Sequence, residues 1–180
     1  MKIFGIVACP LLLAAFVCSP QNRVQSKGQT AEAAKDFVQG FYNWYVPVTL
    51  RDNPVSASDI ALRQRPTDFS PVLFRALEED SKAQAEAQGY IVGIDFDPFL
   101  ASQDPCDHYD VGTITHQGVG YRVDIYGVCS GKRDEKPDVV AEVTNKDGSW
   151  TFTDFLYPAT HSDLLGTLRI LREERGKSSR

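Results

Sequence analysis

The chain has 180 residues and a formal net charge of −5, and hydrophobic residues make up 42% of it. This length and composition are typical of one folded domain and exclude an intrinsically disordered chain, which would hold fewer apolar residues. The arginines between Arg172 and Arg180 suit the C-terminal end of a helix, so we do not interpret them as a nucleic-acid-binding patch.

Residues 1–18, MKIFGIVACPLLLAAFVC, are predicted to be an export segment. Lys2 precedes a nearly unbroken apolar run without an acidic residue, and the run is too short for a stable membrane-spanning helix. Two outcomes stay open: Cys18 is the candidate lipidated cysteine of a membrane-anchored lipoprotein, and free secretion into the periplasm is the alternative. Residues 19–29 are polar and are predicted to be a flexible tether.

The folded domain is predicted to span residues 30–175, followed by a tail at 176–180. Its first helix is expected to be capped by Thr30 and closed by Pro47. An aromatic stripe on this helix has two interpretations: a ligand-binding wall that includes Tyr42 and Trp44, or a bulky face buried against a sheet, which we favour. The stripe follows helical spacing: Ala34, Phe37, Val38, Phe41 and Tyr45.

A later helix has clear local start signals. Ser70 is a suitable cap, Pro71 is a suitable first helical residue, and Gly89 is the expected stop. Between the two helices the sequence indicates a loop with one helical turn near Asp59–Arg63.

An acidic segment follows, without lysine or arginine among its five aspartates. Clustered carboxylates could bind Ca²⁺, although their spacing matches no EF-hand loop. The favoured interpretation is that these residues form turns and caps beside prolines, and the sequence predicts no cofactor. The weak metal-ligand candidates are Asp95, Asp97 and Asp104.

Two runs of strand-forming residues, Val111–Thr115 and Val119–Val128, predict a β-hairpin. A turn at Gln117-Gly118 would place Cys106 opposite Cys129, within reach of a disulfide. The alternative is a pair of buried free thiols, and the predicted export favours the disulfide.

The last elements complete an α+β arrangement. Val139–Thr144 and Trp150–Tyr157 alternate as strands, and Ser162 is expected to cap a final helix. The final strand is expected to carry Trp150, Phe152, Asp154 and Leu156 on one side. The sequence thus predicts a curved antiparallel sheet of about four strands, packed on N-terminal helices and a C-terminal helix.

From about residue 31 to 174 the chain resembles the YbjP-like lipoproteins, a family of bacterial envelope proteins without an assigned activity. The resemblance lies in the order of FVQGFYNWY, SPVLFRAL, FDPFLASQD and WTFTDFLYP, with LLGTLRILREER at the end. It implies a cone similar to nuclear transport factor, in which helices pack into a curved sheet. It implies no catalytic residues.

Function is therefore predicted by class only. The favoured class is a non-enzymatic envelope module that binds a small ligand or an envelope protein, with an inhibitor or immunity protein as one form of it. The alternative is a pocket-type isomerase or dehydratase, for which Asp124, Asp154, or His108 with Tyr126 are the available groups. The ligand-binding candidates are Tyr42, Trp44, Asp124 and Asp154.

Overall fold

The computed structural model describes the backbone of residues 21–178 and the side chains of residues 30–177. The predicted export segment, with Cys18, lies outside the described residues. The helices are α1 (Gln21–Thr49), α2 (Ala57–Gln64), α3 (Pro71–Glu86) and α4 (Leu164–Ser178). The strands are β1 (His108–Gln117), β2 (Gly120–Cys129), β3 (Lys132–Arg133), β4 (Val139–Lys146), β5 (Ser149–Tyr157) and β6 (Ser162–Asp163). None of the helices in this described part has the length and apolar character needed to cross a bilayer.

The sheet is antiparallel throughout, in the order β1-β2-β4-β5-β6, and β3 adds a short pairing to β2. Two β-bulges interrupt it, one in β1 between Val111 and Ile114 and one in β5 at Thr153. Because a bulge increases local bending and twist, these two positions help to curve the sheet. The predicted fold class, α+β with a curved antiparallel sheet, is confirmed.

The core lies between α1 and the inner face of the sheet. Phe41 is fully buried and stacks on Tyr45, with 5.2 Å between the ring centres. Its ring also meets the edges of Phe99 and Phe152 at 5.6 and 4.8 Å. Each such buried aromatic side chain contributes roughly 1.5–3 kcal/mol of hydrophobic stabilisation. The aromatic stripe of α1 is therefore core, in agreement with the favoured interpretation.

The bounds of α1 differ from the prediction at both ends. The helix begins at Gln21, so Thr30 lies inside it rather than at its cap, and residues 21–29 have helical backbone. Pro47 lies in the last turn, where its missing N–H removes one hydrogen bond without ending the helix.

The starts of α2 and α3 follow local signals. The hydroxyl of Ser70 accepts a hydrogen bond from Leu73 N at 3.3 Å, and Pro71 is the first residue of α3, as predicted. Ser56 caps α2 in the same way, and α2 is a full two turns rather than one. Helix α3 ends three residues before Gly89, which has a positive φ of 95°.

The β1–β2 hairpin has a different register from the predicted one. Gln117 pairs with Gly120, so the two turn residues are Gly118 and Val119. Gly118 has a φ of 56°, and a glycine at the first central position is the pattern of a type II′ turn. The predicted start of the second strand at Val119 was therefore wrong, and this side chain is 92% exposed at the turn.

The disulfide between Cys106 and Cys129 is confirmed, with 4.7 Å between the two Cα atoms. It forms despite the different register, because the bulge in β1 shifts the pairing and Cys106 lies before the strand begins at His108. The bond joins the open end of the hairpin to the segment that leads into it.

Two predictions about the final strand and the final helix were wrong, and the bulge in β5 is the reason for the first. Past Thr153 the inward positions belong to Phe155 and Tyr157, so Leu156 and Asp154 lie on the outer side, away from Phe152. The cap of α4 is Asp163, whose Oδ1 accepts a hydrogen bond from Gly166 N at 2.6 Å. Ser162, the predicted cap, lies one residue earlier in β6.

Candidate functional site

A long segment without a helix or strand of its own joins α3 to β1. We call residues 87–107 the connector, and it contains most of the acidic segment noted in the sequence. Loops of this length are uncommon in compact domains and are usually functional or disordered. Here the segment is held at many points by side chains from the helices and the sheet, which argues for a functional, ordered loop.

Side chains of α3 hold the first half of the connector. The amide of Gln84 donates to Tyr90 O at 2.8 Å and accepts from Val92 N and Gly93 N at 3.0 and 3.1 Å. Asp80 is 7% exposed, accepts from Ile94 N at 2.9 Å, and pairs with Arg175 of α4 at 2.7 Å.

Three tyrosine hydroxyls hold the second half. Tyr42 donates to Phe99 O at 2.6 Å, and Tyr157 donates to Pro98 O at 2.8 Å. Tyr45 donates to the carboxylate of Asp97 at 2.6 Å. Burial raises the pKa of all three hydroxyls, so they remain protonated donors at neutral pH.

Asp97 is committed to this internal structure. Its Oδ1 accepts hydrogen bonds from Phe99 N and Leu100 N at 2.9 and 3.1 Å, and Oδ2 accepts the one from Tyr45. Burial raises the pKa of Asp97 to about 6, because desolvation outweighs the hydrogen bonds that lower it. Both oxygens thus have partners within the fold.

The three weak metal-ligand candidates do not converge. Asp95 and Asp104 are exposed, whereas Asp97 is turned into the fold. Across the described side chains, no three His, Cys, Asp or Glu residues are arranged to hold a metal ion. The arrangement of Asp97 matches the favoured interpretation of these aspartates as turn and cap residues.

Two clefts lie on opposite sides of the connector. The first, about 850 Å³, lies between the connector, α2 and α3, and we call it the helical cleft. The second, about 990 Å³, lies between the connector and the loops at residues 134–138 and 158–161, and we call it the acidic cleft. Asp95, Phe96 and Gln103 line both, so one rigid wall separates them.

The acidic cleft combines an apolar floor with a negative rim. Phe96 meets Tyr157 edge to face on the floor, with 5.4 Å between ring centres. Of the rim carboxylates, Asp95, Asp134 and Glu135 form no ion pair with any described residue. The charged residues that line the cleft are Asp95, Asp134, Glu135, Lys136 and Asp138.

Asp138 lies deeper than the other rim acids. Its carboxylate accepts a hydrogen bond from Gly127 N at 2.7 Å. Burial raises the pKa of Asp138, and the neighbouring negative charge of Asp134 raises it further. The rim carboxyls therefore differ in exposure. Asp138 is partly buried and hydrogen-bonded, whereas Asp95, Asp134 and Glu135 are exposed and form no ion pair with a described residue.

The aromatic ligand-binding candidates are not exposed as an open wall. Tyr42 is 1% exposed in the core. Trp44 is half-buried beneath the guanidinium of Arg65, which lies 5.2 Å from its ring centre. Arg65 is in turn held by Asp68 at 2.6 Å.

The acidic candidates Asp124 and Asp154 lie on the outer face of the sheet, and neither lines either cleft. Asp154 accepts hydrogen bonds from Leu165 N and Phe155 N at 3.1 and 2.8 Å, which ties the start of α4 to β5. Burial raises its pKa to about 6. Strand β4 separates the two residues, so the fold does not bring them together.

His108 and Tyr126 lie in an exposed row at the other end of this face. His108 contacts Asp110 at 2.8 Å, and Asp110 pairs across the strands with Tyr126. Arg133 lies over the Tyr126 ring, 3.8 Å from its centre. Gly112 permits this packing, because a Cβ there would collide with the Tyr126 ring. Neither the helical cleft nor the acidic cleft is lined by His108, Asp110 or Tyr126.

Sequence reasoning did not find the acidic cleft. Residues 130–137, SGKRDEKP, have the charged composition of a loop, and Pro158 follows the last long strand. Their approach to Phe96 depends on the sheet register and on the hydroxyl contacts of the connector. No local signal reports such a contact between three separate segments.

No protein-family model matches this chain, and no curated protein matches it in sequence. A protein of unknown function from Bacteroides thetaiotaomicron has a similar structure, with a TM-score of 0.53 and 16% identity over 76% of this chain and 98% of the other. A chain of the type VI effector–immunity complex Tae3–Tai3 from Ralstonia pickettii gives a TM-score of 0.41 and 18% identity, over 72% and 95%. The first likeness shows a shared fold, and the second is too distant to extend it. Neither bears on the resemblance to the YbjP-like family, which stays a prediction.

Proposed function

We propose that this protein is an exported, non-enzymatic binding module that engages a partner protein through the acidic cleft. The observation that carries the proposal is the combination of an apolar floor at Phe96 and Tyr157 with three rim carboxylates that lack an ion pair. Apolar floors and polar rims are the usual anatomy of protein interfaces.

The rigidity of the connector supports binding. Hydrogen bonds from Gln84, Tyr42 and Tyr157 fix its backbone before any partner arrives. A surface that is already ordered loses little conformational entropy when it binds, so more of the interaction energy contributes to affinity.

The charge of the cleft suggests the chemistry of the partner. A lysine or arginine side chain could place its apolar stem on Phe96 and Pro158 and its charged end between Asp95 and Asp134. We therefore propose that the partner presents a basic segment. Complementary charge would also speed the encounter and favour this partner over acidic ones.

The enzyme alternative is weaker for a specific reason. The two carboxyl groups with pKa values raised to about 6, Asp97 and Asp154, both accept backbone N–H groups in a turn and a helix cap. Structural roles account for their burial and their partners. An inhibitor or immunity protein that binds a secreted toxin remains one form of the proposed function.

Export is part of the proposal. The Cys106–Cys129 bond suits an oxidising compartment, as the predicted export segment requires. If Cys18 is lipidated, Cys18→Ser should move the protein from the membrane fraction to the soluble fraction of its producing cells. Unchanged fractionation would leave free secretion as the route.

Site-specific photo-crosslinking tests the binding proposal. A benzophenone amino acid at Ala159, which is exposed in the acidic cleft, is expected to yield discrete protein adducts in producing cells. The control position is Lys146, which is exposed in the β4–β5 turn and lines neither cleft. Adducts from Lys146 but not from Ala159, or none from either, would contradict the proposal.

A further inference from the structure

The outer edge of β1 is covered along only part of its length. Beside its first half lies Gln39 of α1, whose amide donates to Tyr109 O at 3.1 Å and accepts from Val111 N at 2.9 Å. A primary amide carries the same donor and acceptor pair as a peptide group. Gln39 therefore occupies the edge as a residue of a neighbouring strand would.

Beyond the bulge this cover ends. Gln117 and Gly120 flank a two-residue turn, so they exchange their backbone hydrogen bonds with each other. The pattern alternates along the strand, so the N–H and C=O groups of Ile114 and His116 point away from β2. Among the described residues, none donates to or accepts from these outward groups.

The open stretch also lacks the features that usually protect an edge. Residues 113–117, TITHQ, contain no lysine, no proline and no charged residue, and threonine and isoleucine favour strands. The adjoining turn presents Val119, which is 92% exposed. An uncharged stretch is notable in a chain of net charge −5, because two copies can approach there with little repulsion.

We infer that this edge pairs with the same edge of a second copy of the chain. A two-fold axis at Thr115 would place Ile114 of each copy opposite His116 of the other copy. The outward N–H and C=O groups of these four residues would then bond to one another. Thr115 of each copy would then face its equivalent at the closest side-chain spacing in the ladder. Gln39 covers the edge at Tyr109 and Val111, which lie outside the paired residues. The open residues 113–117 are therefore centred on the proposed axis.

The two sheets would join into one continuous sheet. A strand pair of five residues buries less than the roughly 1,000 Å² of a stable interface, so we expect a weak dimer whose population depends on concentration. This contact is at the opposite end of the sheet from the acidic cleft and does not depend on the proposed function.

Sedimentation equilibrium of the purified, naturally processed protein tests the inference. We expect dimers to appear as the concentration rises to about 1 mM, a range that covers weak association. Thr115→Lys and Thr115→Glu should each make the protein monomeric, because like charges would face each other across the axis. An equimolar mixture of the two variants should regain association at least tenfold stronger than either alone.

Thr67→Lys, an exposed change away from the edge, is the matched control and should leave the dimer unchanged. Circular dichroism checks that each variant folds. A wild-type chain that stays monomeric throughout, as expected if another protein's strand occupies the edge, would overturn the inference. So would dimers that persist in both Thr115 variants, or a mixture that fails to regain association.

Discussion

The interior of the connector and the rim of the acidic cleft are both built from carboxylates, yet they use them in opposite ways. Asp97 and Asp80 are turned inward, and their oxygens accept backbone N–H groups, a tyrosine hydroxyl or an arginine. Asp134 and Glu135 are exposed and have no ion-pair partner among the described residues. The inward group maintains the shape of the connector, and the rim group supplies charge at the surface.

A raised pKa therefore does not by itself single out a binding residue in this protein. Asp97 and Asp154 have pKa values raised to about 6, because burial raises each pKa by more than the backbone N–H donors lower it. The rim residues proposed to bind are solvated instead. A large shift marks a functional candidate only after structural partners have been considered.

The largest expected loss of stability comes from removing the covalent anchor at the end of the connector. Cys106→Ser or Cys129→Ser opens a closure of 23 residues and should lower the free energy of unfolding by about 3 kcal/mol. Urea unfolding checks this, with the wild type under reducing conditions as the control. A variant as stable as the oxidised wild type would show that the connector is held without the bond.

The pH dependence of stability should reveal Asp97 directly. Its folded-state pKa of about 6 lies above the usual aspartate value of 3.8, so between these pH values the folded state retains the proton while the unfolded chain loses it. The associated stability is complete below pH 3.8 and is lost as the pH rises to about 6, by up to about 3 kcal/mol. Asp97→Asn should reduce the slope of thermal stability against pH over this window, and the slope that remains should come from Asp154, whose pKa is also raised to about 6. An unchanged profile would place the titrating group elsewhere.

Removing the carboxylate acceptors of Asp97 altogether should lower the free energy of unfolding by less than removing the disulfide does. Asp97→Ala leaves the hydroxyl of Tyr45 and the N–H groups of Phe99 and Leu100 without their partner, which we expect to cost about 2 kcal/mol at neutral pH. Asp104→Ala, an exposed change in the same connector, is the control and should stay within about 0.5 kcal/mol. Equal losses in the two variants would remove the distinction between the inward and the exposed carboxylates of the connector.

Charge reversal on the rim should have the smallest effect on folding. The double change Asp134→Lys and Glu135→Lys breaks no described ion pair, so the free energy of unfolding should change by less than about 0.5 kcal/mol. Thermal unfolding measures this, beside the charge-matched control of Asp52→Lys with Glu78→Lys. A loss of several kcal/mol would give the rim a structural role.

Local signals in the sequence predicted what depends on neighbouring residues. Ser70 and Pro71 determine the start of α3 locally, because the Ser70 hydroxyl accepts one of the first N–H groups of the helix and Pro71 lacks one. The spacing of Cys106 and Cys129 likewise predicted their bond. The strand registers were harder to predict from the sequence. Gly118 can occupy either central position of the β1–β2 turn, and the bulge at Thr153 reverses the side of the sheet on which Leu156 lies. A bulge inserts one extra residue into a strand and leaves no signal in the amino-acid composition.

The candidate site was the least predictable part. Asp95 and its neighbours were identified as an unusual acidic segment, but their separation into inward and rim groups depends on Tyr45 and Tyr157, which are distant in sequence. Tyr42 and Trp44 were visible as aromatic residues, and only packing shows that one is buried and the other lies beneath Arg65.

The most direct test of the central claim is the yield of photo-crosslinks from Ala159 in the charge-reversed chain. We expect Asp134→Lys with Glu135→Lys to abolish the adducts, while the control pair Asp52→Lys with Glu78→Lys leaves them unchanged. Adducts that persist when the rim is reversed, or that fall equally in the control, would contradict the claim that the acidic cleft binds a partner.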